Sequence, residues 1–169
     1  MAEACVIGVD PGAHSAAALL TVCADPAVIA VHVFNSAAKN PKFPHLTAVI
    51  RELLSVAAVT GHALIGAWIE GQFVGENAAS ALSLARSAGR WQEACAATGV
   101  TAYIVEPSTW QSKELQGWRR AGTTTKAAAI QRCAGIWRLN LVEHAADAAL
   151  IGRWAAIEAW QENTMRRLV

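Results

Sequence analysis

Three apolar runs crowd residues 4–35 with little more than turns between them: "ACVIGVD", "AAALLTVCA" and "AVIAVHVFN". The first is β-branched and ends in an acid and a Pro-Gly turn, which predicts a buried strand over roughly 4–9. The other two have strand-like content and are parted by Asp25-Pro26, which predicts an antiparallel meander. Few folds open this way and then change character, and the rest of this chain does change. Pro44 opens "HLTAVIRELLSVAAVTG", where Leu46, Val49, Ile50, Leu53, Leu54 and Ala57 follow a helical period and Gly61 ends the run.

"ALIGAWIE" predicts a further buried strand at about 63–69, running into Glu70. A long helix is expected over 77–97, with Asn77 as its cap and Gly99 as its stop. "VTAYIVEP" predicts a strand ended by Pro107. The next stretch, "STWQSKELQGWRRAG", is expected to be the longest irregular segment, and long loops in compact domains are often functional. "AGTTTKAAAIQRCAGIW" then starts a helix, with Thr123 or Thr124 as its cap. The last helix is expected from Asn140 to about 161, with Asn140 and Glu143 spaced as a capping box. The order β-β-β-α-β-α-β-α-α predicts an α/β fold: a mixed five-stranded sheet, its first three strands antiparallel, with helices on both faces.

The chain has 169 residues, which fits one domain spanning 1–169. Hydrophobic residues make up 54% and charged residues 16%, a globular composition far from a disordered one. The start "MAEACVIGVD" lacks the basic opening of a secretory signal, and no long run is free of charges and helix breakers, so no membrane span is expected. Cys5, Cys23, Cys95 and Cys133 are far apart and lack zinc-type spacing; reduced thiols in a cytoplasmic protein account for them.

The formal net charge is only +1, but it is unevenly spread. Between Glu106 and Asn140 stand Lys113, Arg119, Arg120, Lys126, Arg132 and Arg138 against two acids, Glu106 and Glu114. The rest of the chain is slightly acidic. Such a segment can bind an anion, although a solvated mixed surface has the same composition.

Polar residues within apolar runs are the sharper signal. Asp10 closes the first strand, and Glu70 follows the apolar "LIGAWI". His144 and Asp147 lie three residues apart in "LVEHAADAAL", on one side of an otherwise apolar helix. Acids straight after buried runs are costly unless they face water, a partner or a metal. If the first and fourth strands are parallel neighbours, Asp10 and Glu70 emerge at one sheet edge, where ligands of α/β sheets favour the strands' carboxyl ends. The last helix could then bring His144 and Asp147 to the same place. Each residue also has a plain reading: Asp10 as a turn residue, Glu70 as a surface acid, His144 as a satisfied core histidine, Asp147 as a helix-start charge. Together they predict a site for Mg²⁺ or Mn²⁺, with two ions suited to phosphodiester cleavage.

"IGVDPG" (7–12), "WIEGQF" (68–73), "VEPSTWQ" (105–111), "TTTKAAA" (123–129) and "HAADAALIGRW" (144–154) resemble, in order and spacing, the RuvC family of Holliday-junction resolvases. The resemblance spans nearly the whole chain. It implies the ribonuclease-H-like fold and a homodimeric endonuclease that nicks two strands of a four-way DNA junction symmetrically. It assigns Asp10, Glu70, His144 and Asp147 as catalytic metal ligands for two ions. His144 falls where some members have aspartate and others histidine. Lys126 matches a catalytic lysine acting on phosphate near the cut. Phe73 matches an aromatic that stacks on an unpaired base, since every base offers a π-face. Lys113, Arg119, Arg120 and Lys126, in the basic segment, join Phe73 as DNA-binding residues. The small-residue helix 77–97 matches the family's dimer helix.

Two departures stand out. The 107–122 segment is longer and richer in tryptophan than the family's simplest pattern, with Trp110 and Trp118, and the chain is less basic than expected of a junction binder. Both are consistent with a phage- or mobile-element-type member of broader taste for branched DNA. Other readings are a nuclease of the same fold acting on RNA–DNA hybrids, a non-catalytic junction-binding protein, and an ATPase-type fold built on "GVDPG". The chain is short for the two lobes of the last.

Overall fold

The computed structural model describes residues 3–12, 14–34, 43–71, 78–118 and 122–166. Five strands, β1 (Glu3–Asp10), β2 (Ala16–Thr21), β3 (Val28–Val33), β4 (His62–Glu70) and β5 (Ala102–Val105), form one sheet in the order β3-β2-β1-β4-β5. β1 pairs antiparallel with β2 and parallel with β4; β2–β3 is antiparallel and β4–β5 parallel. The expected mixed sheet with an antiparallel opening meander is therefore present. β1 lies at its centre, and Cys5 to Asp10 are all buried. A run that is apolar on both faces suits a strand covered from both sides.

Side chains alternate along a strand. Cys5, Ile7 and Val9 join Ala67 and Ile69 in a core under α1 (Phe43–Val59) and α2 (Ala78–Ala97). Val6 faces the other way, into a core under α3 (Pro107–Glu114), α4 (Thr125–Trp137) and α5 (Glu143–Arg166), with Trp68 packed against it. Asp10 shares the parity of Val6, and Glu70 that of Trp68. Both acids thus face the second layer. The apolar stripe expected for α1 is seen: Leu46, Val49, Ile50, Leu53 and Ala57 are buried, while Leu54 is only partly so.

Two expectations are corrected. The segment after β5 does not begin as a loop; residues 107–114 form α3. Pro107 stands at the helix start, where a missing N–H costs nothing and the fixed φ suits the first turn. Trp110 and Glu114, one turn apart, are both buried. The last helix starts at Glu143 rather than Asn140, so the Asn140–Glu143 capping box does not form, and it runs on to Arg166. Glu143, an acid in its first turn, suits the positive end of the helix dipole. α4 is capped by Thr124, whose hydroxyl accepts from the Ala127 N–H at 3.2 Å. Asn77, the expected cap of α2, lies outside the described residues.

α5 meets the sheet backbone to backbone. A Cβ built on Gly8 would fall 2.2 Å from both the Ala148 carbonyl oxygen and the Gly152 nitrogen. A Cβ on Gly152 would fall 2.3 Å from Leu20 Cδ1. Neither glycine turns the chain; each lets a helix lie directly on a strand. Gly8→Ala should force α5 outward at a cost of about 1–3 kcal/mol. Chemical denaturation checks this, and an unchanged midpoint would refute the close contact.

Among the described residues, no helix is long and apolar enough to cross a membrane. The four cysteines are unbridged. Burial pushes the Cys5 and Cys95 thiols up to about 11 and Cys133 to about 12, which leaves them inert.

Candidate metal centre

The parallel pairing of β1 and β4 sets Val9 opposite Ile69. The next residue on each strand is an acid, so Asp10 and Glu70 leave the sheet side by side at its carboxyl edge. α5 crosses that face, fixed by the Gly8–Gly152 contact. Its N-terminal turn therefore lies above the same edge. His144 Nδ1 stands 2.6 Å from Asp10 Oδ2. A carboxylate only accepts, so Nδ1 carries the proton and Nε2 is the nitrogen left for other use. The other oxygen of Asp10, Oδ1, accepts from the Gly12 N–H at 3.2 Å. A Cβ on Gly12 would lie 3.5 Å from Oδ1 and 3.8 Å from His144 Cε1, so this glycine borders the site closely.

Glu70 Oε1 accepts from the Trp110 indole at 3.0 Å. Burial, then the charge of Asp10, push the Glu70 carboxyl up to about 7, with the indole bond pulling the other way. Asp147 goes further, to about 8, through burial and then the charges of Asp10, Glu70 and Glu143, against a smaller opposing effect of His144. Its Oδ1 is buried with no hydrogen-bond partner among the described residues. His144 is raised, first by its bond to Asp10. Asp10, Glu70 and Asp147 thus feel one another, as the converging strand ends and helix require.

Other predicted residues fall around this centre. Lys126, exposed on the first turn of α4, forms an ion pair with Glu143, whose Oε1 is also 4.0 Å from His144 Nε2. That bond to Glu143 is the main cause raising the Lys126 pKa. Lys113 is exposed on α3. Phe73, Arg119 and Arg120 lie outside the described residues.

Three features of the site go beyond the sequence expectations. Glu143, expected only to cap the helix, reaches both Lys126 and His144. Trp110, expected in a loop, is wholly buried and bonded to Glu70. His14, just after the Asp10 turn, stacks obliquely beside His144, with ring centroids 5.6 Å apart. The helical spacing of Trp110 and Glu114 was the available signal for the second.

Three carboxylates and an imidazole are a donor set suited to a hard or borderline divalent cation. Among the described residues, no three His, Cys, Asp or Glu side chains are gathered tightly enough to hold an ion as they stand. Asp10 and His144 are closed on each other instead. The residues nonetheless fit a cation, because positive charge would relieve both the repulsion among the acids and the orphaned Asp147 oxygen.

The raised groups also fix the sign of a pH effect. Glu70, Asp147 and His144 each have folded pKa values above their ordinary ones. Their contribution to stability is full below the unfolded pKa and is lost as pH rises through the folded one. Metal-free protein should therefore lose stability from pH 6 to 9. Asp147→Asn should stabilise it at pH 9 by at least about 1 kcal/mol. Thermal melts in chelator check this; an equal or lower Tm for the variant at pH 9 would contradict the site's electrostatics.

No family model and no curated protein sequence matches the chain. Solved structures do. Thermus thermophilus RuvC in complex with a Holliday junction substrate is 21% identical, with a TM-score of 0.68 over 94% of this chain and 96% of that one. A second Thermus thermophilus RuvC structure gives 20% identity, a TM-score of 0.66 and the same coverage. The resemblance read from the motifs is borne out at the level of architecture: this chain has the ribonuclease-H-like fold of RuvC.

Proposed function

We propose that residues 1–169 form a single nuclease domain that resolves four-way DNA junctions by metal-dependent, symmetric paired nicks. The observation that carries this reading is the meeting of Asp10, Glu70, His144 and Asp147 at the carboxyl edge of β1 and β4, under the first turn of α5. The shared fold with a RuvC bound to a Holliday junction supports the choice of substrate.

Asp10, Glu70, Asp147 and His144 Nε2 would hold Mg²⁺ or Mn²⁺, two ions per site. Such ions supply an activated water and stabilise the leaving oxygen. Asp10, which is bonded to His144 and whose charge bears on Glu70 and Asp147, would be the carboxylate on which the set depends most. His144 would complete the ligand set or order the attacking water. Lys126, drawn from Glu143 by an arriving phosphate, would offset charge developing on that phosphate. Lys113, Arg119 and Arg120 would hold the backbone with salt-sensitive contacts, and Phe73 would stack on an unpaired base.

Two symmetric nicks need two sites related by a two-fold axis. α2 offers an outer face with exposed Leu82, Ala85 and Ala96, an apolar strip against which a second copy would pack. The dimer would act in the cytoplasm, where its unbridged thiols stay reduced.

A substrate panel in Mn²⁺ tests the reading. An immobile four-way junction, linear duplex and RNA–DNA hybrid are offered separately. Paired nicks at symmetric positions on the junction are expected, with little on the others. Preferential cutting of the hybrid would replace the resolvase with another nuclease of this fold. Tight junction binding without nicks in Mg²⁺ or Mn²⁺ would leave a binding protein.

A further inference from the structure

We propose that Trp110 is a positioning residue for Glu70, and that α3 is the bar that holds Glu70 in register with the helix carrying His144 and Asp147. This rests on the metal-dependent reading above.

Glu70 is the last residue of β4, so the sheet's hydrogen bonds fix its backbone and leave its carboxylate to be fixed by something else. The Trp110 indole does this. Its N–H is donor only, and a wholly buried donor needs an acceptor. It takes Glu70 Oε1 at 3.0 Å. One oxygen is thereby anchored, one rotamer is selected, and Oε2 is left for an ion. Groups that orient a ligand in this way commonly govern metal affinity.

α3 is itself locked to α5. Four residues past Trp110, on the same buried side, Glu114 accepts two bonds from Arg153 Nη1, at 2.9 and 2.8 Å. Arg132 of α4 adds a contact at 3.8 Å to Glu114 Oε2 and lies over the Trp118 ring, 5.7 Å from its centroid. Arg153 is on α5, six residues past Asp147. One short helix thus touches Glu70 at one turn and grips the Asp147 helix at the next. The spacing between ligands from two separate elements is set through it.

The test compares the full chain with its Trp110→Phe and Glu70→Gln variants. Phe keeps the apolar bulk and removes the N–H. Mn²⁺ binding is measured by calorimetry, junction binding by gel shift in chelator, and cleavage as a function of Mn²⁺ concentration. Trp110→Phe is expected to weaken Mn²⁺ binding about 10-fold or more. The Mn²⁺ concentration for half-maximal cleavage should rise in step, with junction binding in chelator unchanged. A merely structural tryptophan would lower Tm and leave the Mn²⁺ affinity where it was.

Should Trp110→Phe fail to fold, the indole N–H signals of the unaltered protein answer the question by NMR. One of the seven tryptophan signals should shift on adding Mg²⁺, and the same one in Glu70→Gln. A folded Trp110→Phe with unchanged Mn²⁺ affinity, or indole signals indifferent to Mg²⁺ in a protein that binds it, overturns the positioning role alone. No Mn²⁺ binding by the unaltered protein overturns the proposed function, and this role with it.

Discussion

Asp10→Asn is expected to reduce junction cleavage by at least about 10³-fold, since a carboxylate proposed to hold the metal would be lost and with it several kcal/mol of metal-borne stabilisation. Junction binding in chelator should stay within about twofold, because the residues proposed to hold phosphate are other ones. Asparagine keeps the shape and the oxygen that accepts from the Gly12 N–H; its amide NH2 then faces His144 Nδ1, which can accept once the imidazole carries its proton on Nε2 instead, so the fold is expected to hold. The electrostatic consequences differ in sign from the catalytic one. Asp10 helps push up both Glu70 and Asp147, and it is the main cause of the raised His144. Without its charge all three should return toward ordinary values. The metal-free variant should then be less sensitive to rising pH than the unaltered protein. Nicking assays, gel shifts and melts on one preparation check the three statements. Cutting near the unaltered rate would remove Asp10 from the chemistry.

Arg153→Met is expected to destabilise the protein by about 3–5 kcal/mol, because it strands a buried carboxylate. The corresponding fall in Tm is roughly 10 °C. Glu114 is only 3% exposed. Burial raises its pKa even with Arg153 and Arg132 opposing, so the pair does not fully offset its own desolvation. Removing Arg153 raises the carboxyl further. Since a raised carboxylate loses stability as pH climbs, the deficit should be larger at pH 9 than at pH 6. The double variant Glu114→Leu/Arg153→Met should recover much of the loss, as apolar replacement of a buried pair often does. Denaturant melts at both pH values decide it; a single variant as stable as the parent would show that the pair carries no weight.

The sheet was legible because its signals are local. β1 is apolar on both faces, the Asp25-Pro26 turn separates two strands, and the α1 stripe repeats at helical spacing. Asp10 and Glu70 were legible because each ends a buried run, and parity puts both on one face once β1 and β4 are parallel. His144 and Asp147 needed only helical spacing. What failed was non-local or weakly patterned. α3 is eight residues of mixed polarity; what its two buried residues meet, Glu70 and Arg153, lies far off in sequence. Asn140 and Glu143 match a capping box in spacing, but the chain enters α5 three residues later. The Gly8–Gly152 contact leaves no pattern in either segment, since a glycine in a strand or helix does not announce its neighbour. The bond between His144 and Asp10 spans 134 positions and depends on that same contact.

The claim on which the rest depends is that Asp10, Glu70, His144 and Asp147 together bind divalent ions. Crystals soaked in Mn²⁺ and measured at the manganese absorption edge test it most directly. Anomalous density is expected within ligand distance of the Asp10, Glu70 and Asp147 carboxylates, with His144 turned from Asp10 toward it or toward an ordered water. Saturating Mn²⁺ with no density there, and Asp10 still closed on His144, would contradict it.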